Sequence, residues 1–244
     1  MLKTRIETVQ LTASTNADML EHARAGAAEG LWIRAERQNA GRGRLGRTWE
    51  SPVGNLFAST LVRLRADDPP ASTLAFVTAL AVYDTVAPYL TGNPPQLKWP
   101  NDVLVGGKKL CGMLLERCED AVIVGIGINI AAAPDIPGRE VTCLHDAGAP
   151  KSLDATIVVG ELAEKFQHIY AEWRDKPISY TLDKWQDKAH KTGTEIKISR
   201  EGANHLTGTF IGIDVNGSLK IRTESGAVQV IHAGDVEIVR NIEE

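Results

Sequence analysis

Cysteine is scarce in this sequence: Cys111, Cys118 and Cys143 are three among 244 residues, an odd number without metal-type spacing. A disulfide scaffold and a cysteine-built metal centre are not expected, and a reducing cytoplasm is the expected setting. No basic-plus-apolar signal segment opens the chain. No apolar run approaches the roughly 20 residues that cross a bilayer, so no membrane partner is expected. Positive charge is not in excess either: the net charge is −4, so any anion binding must come from a local cluster rather than from the whole field of the protein. Internal repeats and low-complexity tracts are missing. What remains is ordinary for a globular chain, 43% hydrophobic and 24% charged, and long enough for one large domain or one large and one small.

The elements follow from spacing and punctuation. Residues 3 to 12 suggest a strand, and Ser14, Thr15 and Asn16 offer capping oxygens for a helix over about Ala17–Ala27. "LWIRAE" and "NLFASTLVRL" read as strands, and Ser72–Leu90 as a helix stopped by Pro94-Pro95. "DVLV", the turn "GGKK", "LCGMLLERC" and the nearly continuous apolar "AVIVGIGINIA" read as strands buried on both faces or nearly so. After a loop over 132–150, "LDATIVVGELAEKFQHIYAEW" and "ISYTLDKWQDKA" are amphipathic helices separated by Pro177. From Thr194 onward five short strands alternate with turn signals such as Asn216-Gly217, the pattern of a small barrel. A domain boundary near residue 190 divides the chain into 1–190 and 191–244.

Chemistry concentrates in a few places. In "NAGRGRLGRTWES" (39–51) Arg42, Arg44 and Arg47 interleave with Gly41, Gly43 and Gly46. Glycine lets the backbone approach an anion, and guanidinium forks bind carboxylate or phosphate bidentately; the same composition also fits a solvated basic loop. In "KWPNDVLVGGKKLCGMLLE" (98–116) a hairpin returns Lys108 and Lys109 near Lys98, Asn101 and Asp102. Lys98 is a candidate charge stabiliser or a surface lysine. "VGIGINI" fails as a dinucleotide fingerprint because Ile130 stands at the third glycine, and "GGKK" fails as a phosphate loop because Asp102 stands at the first. The glycines of this strand suit a flat ligand lying on the sheet. The six histidines have no metal spacing, Ser51 and Ser59 sit in no nucleophile motif, and Trp32, Trp173 and Trp185 read as packing residues. Trp49 is a packing residue or a platform for a base.

Together, "STN" (14–16), "QNAGRGRLGRTW" (38–49), "KWPND" (98–102), "KKLCGMLLE" (108–116) and "GIGIN" (125–129) resemble the biotin protein ligases in order and spacing. The resemblance implies an α/β (α+β) fold: a mixed-sheet catalytic domain of the biotin/lipoate ligase type, then an SH3-like barrel. It implies a ligase that uses ATP and Mg²⁺ to make biotinyl-5′-adenylate from biotin and passes biotin to one lysine of a biotin carboxyl carrier protein or domain of a carboxylase. By the same resemblance Ser14, Thr15, Asn16, Gln38, Gly41, Gly112, Leu114 and Gly125 form the biotin surface. Arg42, Gly43 and Arg44 lie over the biotin carboxylate and adenylate phosphate, and Lys109 reaches the reacting carboxyl. Arg44, Arg47, Trp49, Lys98, Asn101 and Asn129 serve ATP, and Arg42, Arg44 and Lys109 carry catalysis.

Cys111 departs from the small residue, such as Ala, that the family leads one to expect. Longer members carry an N-terminal winged helix; with "STN" at residue 14 there is no room for one here, and DNA binding is not expected. Metal ligands stay open, with Asp102 an indirect contact at most, and the oligomeric state stays open with a homodimer among the options. Two other readings remain: a lipoate–protein ligase of the same fold, and, remotely, a nucleic-acid module, although residues 191–244 carry acidic residues throughout and lack an aromatic stacking surface. The reaction brings negative charges together, so cations must converge, and a glycine-rich segment that closes over the adenylate is expected to act as a lid.

Overall fold

A computed structural model describes residues 3–199 and 205–240; the outer ends of the two predicted domain ranges, and residues 200–204 of the second, lie outside it. Seven strands build the larger sheet: β1 (Arg5–Thr12), β2 (Leu31–Gln38), β3 (Leu56–Arg63), β4 (Gln96–Lys98), β5 (Asp102–Val105), β6 (Lys108–Cys118) and β7 (Ala121–Ile128). Their order is β1-β2-β3-β7-β6-β5-β4. The β1/β2 pair is parallel, in register from Arg5↔Leu31 to Thr12↔Gln38, and the remaining pairs are antiparallel. The sheet is mixed, as expected.

Strand β7 explains the layering. Every one of its residues is buried, as its uninterrupted apolar run requires. Its side chains alternate by the strand period of two. Val122, Val124, Ile126 and Ile128 join the main core with α2 (Leu74–Val86) and α3 (Ala155–Asp175). Ala121 and Ile123 face the other way and pack with Met19 and Ala23 of α1 (Thr15–Arg24). Further along this second face come Gly125 and Gly127, so the sheet surface beyond the start of α1 has no side chains of its own at these two positions.

Helix α2 is apolar all round and therefore buried. The span Ala71–Tyr89 is long and apolar enough by composition to cross a membrane, yet most of it is enclosed in the protein, against α3 and α4 (Ile178–Gln186). Asp154 caps α3, accepting from the amides of Thr156 and Ile157 at 2.8 and 3.0 Å. An aromatic row, Trp32, Phe166, Tyr170 and Trp173, lines its inner face.

The C-terminal strands β8 (Glu195–Ser199), β9 (Leu206–Ile213), β10 (Leu219–Arg222), β11 (Val228–Ile231) and β12 (Asp235–Arg240) form a separate antiparallel sheet, order β11-β10-β9-β8-β12, consistent with an SH3-like barrel. Asn216-Gly217 makes a turn there, with Gly217 at φ +82°, a conformation that favours glycine. This turn docks on the first unit: Trp99 Nε1 donates to the Gly217 carbonyl at 3.0 Å and Ser72 Oγ to that of Asn216 at 2.7 Å.

Candidate active site

The open glycine face of β6 and β7 is the floor of a cavity of about 980 Å³. One end is built by the residues that begin α1. The sequence suggested Ser14, Thr15 and Asn16 as capping residues, but Ser14 occupies the N-cap without a side-chain capping bond and the helix already starts at Thr15. Their polar groups instead form a buried network. Gln38 Oε1 accepts from the Thr15 amide at 2.9 Å. Ser59 Oγ lies 2.7 Å from Thr15 Oγ1 and 2.6 Å from Asn16 Oδ1. The Thr15 hydroxyl donates its own proton to Gln38 Oε1 at 3.2 Å, so Ser59 donates toward Asn16 Oδ1 and Thr15 Oγ1. Asn16 Nδ2 donates to Glu116 Oε2 at 2.7 Å and to the Leu114 carbonyl at 3.3 Å. The Asn16 amide lies directly on Gly125, where a Cβ would collide with it.

The other end is cationic. Lys109 Nζ is 2.6 Å from Asp102 Oδ1, and Lys98 Nζ is 3.7 Å from Asp102 Oδ2, so one carboxylate holds two ammonium groups that the hairpin brings near each other. Between the two ends, Trp49 lies on the sheet. A Cβ at Gly127 would meet its ring at 2.5 Å and one at Gly112 at 2.7 Å. Lys109 Nζ sits 5.4 Å from the Trp49 ring centroid, at cation–π range. The flat group that these glycines admit in this structure is thus the indole of Trp49.

The Arg/Gly segment folds back on itself by a bridge between Arg42 and Thr48. Its tip, Leu45, is a non-glycine residue in the left-handed region (φ 56°) and 63% exposed; that conformation costs on the order of 1 kcal/mol or more. Arg42 reaches Glu116 at 3.4 Å. Arg44 donates to Asn101 Oδ1 and to the Gly234 carbonyl, both at 3.3 Å. Arg47 pairs with Asp235 of β12 at 2.7 Å, and Arg139, from the loop after β7, lies 3.9 Å from the same carboxylate. Burial works to raise the Asp235 pKa, but the Arg47 hydrogen bond and the charges of Arg47, Arg44 and Arg139 hold it below its usual range. Burial in turn lowers the Arg44 pKa, opposed by Asp235.

Of the residues singled out from the sequence, Ser14, Thr15, Asn16, Gln38, Arg42, Gly43, Arg44, Arg47, Trp49, Lys98, Asn101, Lys109, Gly112, Leu114 and Gly125 all line this cavity. Two do not. Gly41 is buried beneath the segment, where a Cβ would lie 2.6 Å from the Trp49 carbonyl. Asn129 is turned away at the end of β7: its Nδ2 donates to the Thr142 carbonyl and its Oδ1 accepts from Asn55, bracing the loop that follows. Three polar partners were missed: Ser59 because it sits in no nucleophile motif, Glu116 because it only closes a quoted block, and Asp235 because it belongs to the distant barrel.

Residues 8–130 match the biotin/lipoate A/B protein ligase family, and residues 192–239 the biotin protein ligase C-terminal domain. The chain is similar to the biotin–[acetyl-CoA-carboxylase] ligases of Paracoccus denitrificans (35% identity, covering 92% of this chain and 97% of that one) and Mycobacterium tuberculosis (33%, covering 97% and 90%). It is also similar to a solved biotin protein ligase from Aquifex aeolicus in complex with biotin and ATP, with TM-score 0.83 and 30% identity over 97% of this chain and 99% of that one. The fold and the site define an acid-activating ligase, and this chain belongs to the biotin/lipoate A/B protein ligase family.

Proposed function

We propose that this protein activates biotin with ATP and transfers it to a lysine of a biotin carboxyl carrier domain of acetyl-CoA carboxylase. One observation carries the reading: a buried hydrogen-bonding pocket at Ser14–Asn16 and Gln38 opens, across the Trp49 platform, onto Arg42, Arg44, Lys98 and Lys109 in the same cavity. The pocket suits the neutral polar ring system of biotin, and the cations suit a carboxylate meeting a triphosphate.

In the first step a biotin carboxylate oxygen attacks the α-phosphorus and pyrophosphate leaves. Arg42, Arg44 and Lys109 balance the charge that gathers there, and such preorganised donors lose little to reorganisation. Asp102 pairs with Lys109 and Lys98 and aims both ammonium groups. In the second step the carrier amine attacks the acyl carbon, AMP leaves and the amine loses a proton. Between the steps the Arg/Gly segment covers the anhydride and keeps water away. Trp49, Arg47, Lys98 and Asn101 serve the nucleotide.

The described residues offer Mg²⁺ no cage built from protein ligands alone. Among the described residues no three His, Cys, Asp or Glu side chains converge, and Asp102 is already paired with both lysines. Mg²⁺ therefore accompanies the phosphates of ATP, as this cation commonly does. We divide the chain into a catalytic unit, 1–190, and a barrel, 191–244, and assign a cytoplasmic setting, which the three free thiols support.

The test is incubation with biotin, ATP, Mg²⁺ and a carboxylase carrier domain, followed by the mass of the carrier. One added biotinyl group, dependent on ATP, is expected; an unmodified carrier, or lipoate bound more tightly than biotin in calorimetry, overturns the reading.

A further inference from the structure

We infer that Glu116 is a positioning residue for the acid-binding pocket, setting which way the Asn16 amide points; this rests on the biotin-ligase reading above. Asn16 is 4% exposed, and an asparagine amide can be turned end for end with little change of shape. Two neighbours remove that freedom. The Leu114 carbonyl can only accept, and it lies 3.3 Å from Asn16 Nδ2, whereas Ser59 Oγ, 2.6 Å from Asn16 Oδ1, can donate or accept and follows the amide. Glu116 Oε2 is a pure acceptor when ionised, and it lies 2.7 Å from Asn16 Nδ2. Turning the amide over would set its oxygen against the carboxylate. The charge-assisted bond to Glu116 is the stronger of the two constraints.

The oriented amide covers Gly125, so it forms part of the pocket floor, and its neighbour Thr15 is tied through Ser59 to the same network. The second oxygen of Glu116 is 3.4 Å from Arg42 Nη2, a pair whose side chains are 33% and 48% exposed. A pair so open to water contributes little. The role of Glu116 is therefore carried by Asn16, and its loss should weaken the acid and spare the nucleotide.

The experiment first measures ATP-dependent carrier biotinylation by the parent protein; failure there removes the functional reading itself. With an active parent, Glu116→Ala is expected to raise the biotin Kd about tenfold in calorimetry without ATP, the scale of losing a hydrogen bond to a charged group. The KM for ATP should move less than about twofold. Glu116→Gln, whose amide oxygen can still accept from Asn16, should recover biotin affinity to within about threefold of the parent. A second pair keeps the test decisive should Glu116→Ala unfold: Asn16→Asp sets two carboxylates together and should weaken biotin, and adding Glu116→Gln should restore it by supplying a donor. Parent-like biotin affinity in Glu116→Ala, an equal rise in both constants, no recovery in Glu116→Gln, or no rescue of Asn16→Asp overturns the inference.

Discussion

Lys109 answers to three neighbours at once: the Asp102 carboxylate at 2.6 Å, the Trp49 ring at 5.4 Å and the floor at Gly112. A lysine so held keeps its charge at a fixed point, which is what a developing negative charge requires. Removing it, or the half-buried Arg44, leaves that charge without a preorganised partner. Lys109→Ala or Arg44→Ala is expected to slow adenylate formation by at least roughly 10²-fold, read as ATP-dependent pyrophosphate release; rates equal to the parent would remove both from the mechanism. At this scale the sequence spoke through residue type. Arginine, lysine and glycine in close order fitted an anion site or a solvated basic surface, and most of those residues line the cavity. Asn129 stood in an equally suggestive block, yet its amide is spent on the Thr142 carbonyl, because the direction of a side chain at a strand end depends on the loop that follows.

At the scale of elements, the glycine positions of β6 and β7 do the shaping. Gly112 and Gly127 are direct partners across the two strands, and both lie under the Trp49 indole. Gly127→Ala places a methyl 2.5 Å from that ring, and backbone in the middle of a paired strand cannot retreat. The indole must move. A rise of at least about tenfold in the KM for ATP is expected, the scale of losing one stacking partner, with a shifted Trp49 fluorescence maximum; an unchanged KM would deny the platform a role.

A second element-scale prediction concerns the join between α4 and β4, where the Leu97 amide donates to the Lys188 carbonyl. His190 is 2% exposed there, faces Phe210 edge-on, and neither ring nitrogen finds a partner among the described residues. Burial, aided by the charge of Lys98, lowers its pKa to about 4. Between about pH 6.5 and 4 the unfolded chain binds a proton that the folded chain refuses, so stability is fully kept above this window and declines as pH falls through it. The loss from His190 alone is roughly 2 kcal/mol by about pH 5. His190→Phe should flatten the dependence of urea midpoints on pH in this range, and an undiminished slope would show that other groups set it.

For the molecule as a whole, the contact of consequence joins the Arg/Gly segment to the barrel. Arg44 and Arg47 reach Gly234 and Asp235, and Arg139 arrives from the catalytic unit. The barrel is thereby fastened to the segment that is expected to close over the intermediate. Asp235 is 41% exposed, so its hold is modest, about 1 kcal/mol. Asp235→Ala should accordingly speed amide exchange across residues 42–48 by about fivefold in the ligand-free protein, and exchange at the parent rate would dissolve the proposed fastening.

What the sequence determined by itself was local in origin. Apolar spacing marked β1 to β3, nearly continuous apolar runs marked β5 to β7, turn signals between short strands marked β8 to β12, helical apolar spacing marked α2, α3 and α4, and the glycine-arginine alternation marked a candidate anion segment, because each of these signals is a property of neighbouring residues. The short β4 (Gln96–Lys98) and the start of α1 at Thr15 escaped this reading: three residues carry no period, and Ser14 to Asn16 looked like caps until their partners 23 to 100 positions away were seen. Tertiary structure alone decided that Asp102 would pair both lysines, that Glu116 would fix Asn16, and that Asp235 would meet the arginines. Such choices depend on which strands lie side by side and how far the chain has travelled between them, and no local spacing encodes that.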